Sequence, residues 1–343
     1  MSKTTGRIIF YFLISAILVL VTSSVLAFEP FQPLPASPPI PVDNPQTGAK
    51  IALGKMLYFD RRLSVNGSLS CNSCHDLSHG GADFRALPVG ATGIIGKRTA
   101  STLYNVAYET VFFRDGRAAT LEEAIQSHLV DPTVMAMPSV DRVEATLADI
   151  GAYRQLFADD FADGLNYVNI SRALASYIRS LRTPDSAFDR YLRGDKQALS
   201  VQAQRGFRTF IETGCASCHF WVNLSGPVPG LAFQQGEGFY ELFPNHPGTA
   251  EEARYHLSDD LGRYNVTHIE TDRRMWRVPV LRNVAVTAPY FHNGSVATLN
   301  EAIRIMAKTQ LRVILDKADI EDIAAFLRSL TGTFPQITIP QLP

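Results

Sequence analysis

Two pentads, CNSCH at 71–75 and CASCH at 215–219, contain every cysteine of this 343-residue chain. In an exported protein four cysteines ordinarily pair as disulfides. The histidine that closes each pentad argues otherwise, because C-x-x-C-H is the attachment signature of c-type haem. Thioether bonds from Cys71 and Cys74, and from Cys215 and Cys218, would tie down two porphyrins, with His75 and His219 each ligating an iron from one side. A zinc ribbon sets its C-x-x-C pairs roughly 15–20 residues apart, whereas Cys71 and Cys215 are 144 apart. A thioredoxin-like pair is a lone motif without the histidine. The pentads therefore predict two covalent haem c groups and leave no thiol for a disulfide.

The start of the chain reads as an export signal. Lys3 and Arg7 precede an apolar run from Ile8 to Val21, and small residues follow before Phe28. That order predicts a signal peptide over 1–27, cleaved after Ala27, and a periplasmic protein. The run is shorter than a membrane span of roughly 20 residues, so membrane attachment follows only if the signal stays uncleaved. Losing Lys3 and Arg7 takes the net charge from −1 to −3, a balance that does not point to nucleic acid. Residues 28–45 carry seven prolines. Proline fixes φ and donates no backbone hydrogen bond, so this is an extended, semi-rigid leader that lies on a domain surface or serves as a tether.

The remaining chain repeats itself. LYNVAYETVFFRDGRAATLEEAI (103–125) and LRNVAVTAPYFHNGSVATLNEAI (281–303) align without gaps, with 12 of 23 positions identical. ALASYIRSL (173–181) and DIAAFLRSL (322–330) recur in the same order, with apolar residues at the i, i+3, i+4, i+7 spacing of a buried helix face. Helix-like segments at 49–60 and 201–212 precede the two pentads. Strand-like alternation is scarce. The pattern predicts an all-α fold of two tandem cytochrome c-like domains, 46–184 and 185–343, with 182–195 as the seam. An insertion at roughly 221–278 is placed to pack between them. In the repeat, His128 of the first copy faces Met306 of the second, and these are two side chains that haem iron takes as neutral ligands.

From about Asp43 to Pro343 the chain resembles the bacterial dihaem cytochrome c peroxidases, the family that also includes the protein-modifying enzyme MauG. The likeness is carried by LGKMLYFDRRLS, CNSCH, GGAD, FFRDGRAATLEEA, TPDSAFDRYLRGD, GCASCH, LRNVAVTAPYFHNG and AFLRSLTG. The resemblance implies that the second haem receives electrons one at a time from a small periplasmic donor, a cytochrome c or a cupredoxin. Met306 matches the family's far-side ligand there; tyrosine, found in MauG-type enzymes, would favour the other branch. The first haem would reduce hydrogen peroxide to water. The resemblance further implies a structural calcium, held partly by carbonyls matching Thr287 and Pro289, with Thr99 replacing an asparagine partner. A homodimer is the candidate assembly.

Three positions around the first haem depart from the family pattern. Ala91 stands where a removable histidine ligand is expected, Arg114 where a tryptophan precedes DGR, and Val134–Met135 where a distal glutamate belongs. His128, at a position where the family has proline, is then either a proton acceptor for O–O cleavage or the iron's sixth ligand. The acid–base role is preferred, because a permanently closed iron does not turn over. Arg114 is a candidate for polarising peroxide, or for a propionate or surface salt bridge. Arg277 and Arg263 are candidate propionate partners, and Trp276 and Trp221 candidate aromatics between the haems. The alternatives to a peroxidase are a dihaem electron carrier and a MauG-like oxidase of a protein side chain.

Overall fold

Thr120 and Thr298 explain why the duplicated segments begin alike. Each is a helix N-cap, its hydroxyl accepting the backbone N–H three residues on, from Glu123 at 3.1 Å and Glu301 at 3.3 Å. In the first copy the Glu123 carboxylate reaches back to the Ala119 N–H at 2.8 Å, which satisfies a second free donor of the helix start. In the second copy Glu301 turns instead to Arg304 and Tyr255.

The computed structural model describes residues 30–226 and 234–343, so the predicted signal over 1–27 lies outside the described residues. Helices α1 (Gly48–Phe59), α2 (Leu121–Val130), α3 (Val140–Ala148), α4 (Gly151–Asp160) and α5 (Tyr167–Ser180) form the first half. Helices α6 (Ala187–Leu192), α7 (Val201–Glu212), α8 (Ala250–Tyr255), α9 (Tyr264–Thr267), α10 (Leu299–Leu311) and α11 (Lys317–Arg328) form the second. Each cysteine pair opens a short 3₁₀ turn, Cys71–Ser73 or Cys215–Ser217. None of the described helices is long and apolar enough to cross a membrane. The fold is helix-rich but not wholly helical. Strands β1 (Tyr240–Leu242) and β2 (Met275–Arg277) pair antiparallel inside the predicted insertion, Tyr240 opposite Arg277 and Leu242 opposite Met275. Three-residue strands are too short to show as an alternating pattern in sequence.

Two apolar cores lie side by side. One gathers Leu53, Tyr58, Leu129, Phe157, Leu174 and Tyr177, and the other Phe188, Phe210, Ile303, Ile323, Phe326 and Leu327. Each is centred on a helix pair that crosses at glycine. A Cβ on Gly54 of α1 would lie 1.9 Å from the Ala173 carbonyl oxygen of α5, and one on Gly206 of α7 would lie 1.7 Å from that of Asp322 on α11.

The repeat extends to the backbone. Asn105, Phe113 and Gly116 have positive φ, as do Asn283, Phe291 and Gly294, their equivalents 178 residues on. Asn105 and Asn283 are both fully buried. Their amides donate to one hydroxyl, that of Thr183, at 2.8 and 2.9 Å. The seam thus holds a buried polar contact that joins the halves.

The leader is not a loose tether. Phe31 inserts into the second core, edge-on to Phe188 and Phe207. Gln32, Pro35 and Ala36 offer carbonyls to Arg282, Tyr108 and Arg182. Asn44 donates to Glu122 of α2 at 2.7 Å. The segment therefore straps one half to the other, and proline costs nothing where only carbonyls are used. The insertion also reaches the first half, through Gln235 to the carbonyls of Thr110 and Ala119 and through Asp260 to Arg98.

Candidate functional site

Each half surrounds a cavity that opens on its own pentad. Cys71, Cys74, His75 and His128 line the first, and Cys215, Cys218, His219 and Met306 the second. The four cysteines are not bonded to one another. Burial pushes the Cys71 thiol up to about 12 and that of Cys218 to about 11. Among the described residues no three His, Cys, Asp or Glu side chains gather around a point that could hold a bare metal ion.

The two histidines of the first cavity face one another. His75 Nδ1 donates to the Ser101 carbonyl at 2.8 Å, and His128 Nδ1 donates to the Ala124 carbonyl one helical turn back, also at 2.8 Å. Those bonds fix the tautomer, so each ring presents Nε2 as a lone pair. The ring centres are 6.3 Å apart with planes inclined at 68°. Burial holds His75 down to about 4, and His128 is lowered for the same reason, so both are neutral donors at pH 7. Phe113 stacks on His128 at 5.0 Å, and the Arg117 guanidinium lies over that phenyl ring at 3.4 Å. The Tyr58 hydroxyl donates to the His75 carbonyl at 2.5 Å, tying the proximal loop to α1.

Part of the surrounding wall is apolar. Val134 and Met135 line it beside Ile94 and Ile95. Ala91 is buried away from the cavity, its N–H donating to the Val134 carbonyl at 2.8 Å. A carboxylate that sequence reading passed over, Asp131, also lines this cavity. It caps the end of α2 and accepts from the Thr133 N–H at 2.8 Å.

In the second cavity His219 Nδ1 donates to the Leu224 carbonyl at 2.9 Å, and burial holds its ring down to about 4. Met306 projects from α10, the counterpart of α2, onto the same space. Thr287 and Pro289 line this cavity too, but the Thr287 hydroxyl is spent on the Val284 carbonyl. Thr99 accepts from Arg114 and donates to the Phe291 carbonyl. The hydroxyls next to the expected calcium carbonyls are thus already engaged.

Other sequence candidates separate cleanly. Arg114 and Arg277 line both cavities. Arg263 lines neither; it pairs with Asp272 at 3.4 Å and lies over the Tyr240 ring, so a propionate role for it is withdrawn. Trp276 lines the second cavity and stacks on His292 at 4.4 Å. Trp221 lines neither, packing instead with Leu34, Tyr108 and Val222 beneath the leader. His292 was missed by sequence reading. The repeat could have found it, since it stands 178 residues after Arg114 at the same step of the motif.

Comparison with known proteins agrees with this arrangement. Residues 48–197 match the profile of the di-haem cytochrome c peroxidases, and 276–310 that of RoxA-like, cytochrome c-like proteins. The chain is 37% identical over 317 residues to cytochrome c551 peroxidase of Pseudomonas aeruginosa, covering 91% of this chain and 87% of that protein. It is 38% identical to the cytochrome c peroxidase Ccp of Escherichia coli over 89% of its own length, but spans only 62% of that longer protein. Among solved structures, a MauG-like protein associated with microbial copper homeostasis superposes with a TM-score of 0.74 at 28% identity, covering 87% of this chain and 95% of the other. With two haem-attachment turns in a duplicated helical frame and relatives matched along nearly its whole length, this chain belongs to the di-haem cytochrome c peroxidase family.

Proposed function

We propose that this protein is an exported peroxidase that reduces hydrogen peroxide to water with electrons taken singly from a small periplasmic cytochrome c or cupredoxin. Relatives named cytochrome c peroxidase and cytochrome c551 peroxidase support the reaction. The donor sets fit two haem c groups, one per half: Cys71, Cys74 and His75 in the first, Cys215, Cys218, His219 and Met306 in the second. Bound there, the haems supply one-electron storage and the iron at which peroxide reacts. Methionine opposite histidine raises a haem's potential, which suits the second site to accepting electrons.

The observation that carries our reading of the first site is the 6.3 Å between the rings of His75 and His128. At that separation, with both Nδ1 atoms tied to carbonyls, the two neutral rings would hold a haem iron between them. A proton acceptor working on bound peroxide would need a further diatomic of room between them. We therefore assign His128 as the sixth ligand of the resting protein, in preference to the acid–base role favoured by the sequence. For turnover its side chain must swing aside. Among the described residues its side chain hydrogen-bonds to the Ala124 carbonyl alone, so little polar bonding opposes that rotation.

The same closed geometry is what favours a second reading, a dihaem electron carrier. Peroxide consumption measured from two starting states separates them. Protein with the second haem reduced is expected to consume peroxide well faster than the fully oxidised protein. If neither state consumes peroxide while both haems remain attached, the electron-carrier reading replaces ours.

A further inference from the structure

We propose that Arg114 anchors a haem propionate on the wall that the two cavities share. This rests on the two-haem reading above but concerns a residue that neither the ligand sets nor the peroxide chemistry uses. The wall is built from Thr99, Arg114, Arg277 and His292, each of which lines both cavities.

Ion pairs take up the neighbouring guanidiniums. Arg98 pairs with Asp115 and Asp260, Arg117 shares Asp115, and Arg277 pairs with Glu109. Arg114 has no such pair among the described residues. Among the described residues its side chain hydrogen-bonds to Thr99 alone, to the carbonyl oxygen at 3.4 Å and to the hydroxyl. No carboxylate lies within ion-pair distance of it among the described residues. Burial, with Arg277 and Arg98 nearby, presses its pKa down to about 9. A half-buried cation in that position calls for an anion, and a haem brings two carboxylates with it.

The repeat places a second polar group beside the first. His292 is the register equivalent of Arg114, and its Nε2 is buried without a hydrogen-bond partner among the described residues. Thr99 links the two: its N–H donates to the His292 carbonyl at 2.8 Å while its hydroxyl accepts from Arg114. One residue from each copy of the duplicated segment therefore meets at a single threonine between the cavities. Where the family pattern has a tryptophan, a neutral indole, this chain has put a fixed positive charge. On this account Arg114 holds the cofactor, an alternative to the peroxide-polarising role considered from sequence.

A cation at this wall favours the reduced, less positive state of a neighbouring iron. Holoprotein variants Arg114→Gln and Arg114→Lys are titrated spectroelectrochemically, and both haem midpoint potentials are compared with the unaltered protein. Arg114→Gln is expected to lower one or both potentials, with haem content unchanged and the low-spin signals of both irons retained. Arg114→Lys, which keeps the charge, is expected to restore most of the shift. A fall confined to one haem assigns the propionate to that haem. Unchanged potentials in Arg114→Gln with both haems attached would overturn the proposal while leaving the peroxidase reading intact. Should Arg114→Gln not mature, Arg114→Lys with Thr99→Val carries the test, since Thr99→Val frees the guanidinium without removing charge. In that pair, a fall in potential on Thr99→Val upholds the anchor, and unchanged potentials in both variants contradict it.

Discussion

His128 and Met306 occupy one step of a repeated helix, and everything else about them differs. Met306 lines its cavity together with a histidine whose Nδ1 is tied to the Leu224 carbonyl. His128 is held by the Ala124 carbonyl and stacked on Phe113, which has left-handed φ. Replacing His128 with glycine is expected to convert the first ferric haem from low to high spin and to speed cyanide binding, by roughly 10-fold or more per 1.4 kcal/mol of ligand-release barrier removed. Optical and stopped-flow spectroscopy read both. An unchanged spectrum together with slow peroxide cleavage would restore the acid–base role. The pentads, Met306 and the importance of position 128 were legible in sequence because each is a residue type at a fixed spacing. The choice between two roles for His128 was not, since it turns on a separation of 6.3 Å that no spacing encodes.

At the scale of elements, the helices were predictable where a capping residue preceded an apolar stripe. Thr47, Ser200 and Asp316 cap α1, α7 and α11 with their side chains, and 49–60 and 201–212 were read within a residue or so of α1 and α7. What sequence could not convey is how closely α1 approaches α5, and α7 approaches α11. Gly54 and Gly206 make those crossings possible, because a methyl group at either would meet partner backbone rather than a yielding side chain. Gly54→Ala and Gly206→Ala are each expected to destabilise the protein by about 1–3 kcal/mol, the usual cost of forcing atoms into a filled core. Denaturant unfolding of the holoprotein checks this. An alanine at Gly48, where nothing lies within 4 Å, serves as the neutral control.

For the whole molecule, the leader and the seam matter more than their composition suggested. Asp189 and Arg282 form a fully buried ion pair at 2.8 Å. Asp189 also accepts the Leu34 N–H at 2.9 Å, and Arg282 donates to the Gln32 carbonyl, so the pair clamps the leader. Burial alone would raise the Asp189 carboxyl, but the charge and hydrogen bonds of Arg282 outweigh it and leave it below the usual value. A lowered carboxylate pKa contributes stability above the unfolded value near 4, and that contribution is lost as pH falls through the folded value. Asp189→Asn should therefore destabilise at pH 7 by about 3–5 kcal/mol, the cost of stranding a buried partner charge, and should flatten the acid limb of the stability profile. A proline-rich stretch announces its stiffness in sequence, but which carbonyls it lends to which arginines depends on the folded halves.

The claim on which the first site depends is that both axial positions of its iron are filled at rest. Low-temperature EPR of the fully oxidised holoprotein tests it most directly, since it counts low-spin and high-spin ferric irons separately. Two low-spin signals of equal weight, with no high-spin ferric signal, are predicted. A high-spin signal accounting for half the iron would contradict ligation by His128.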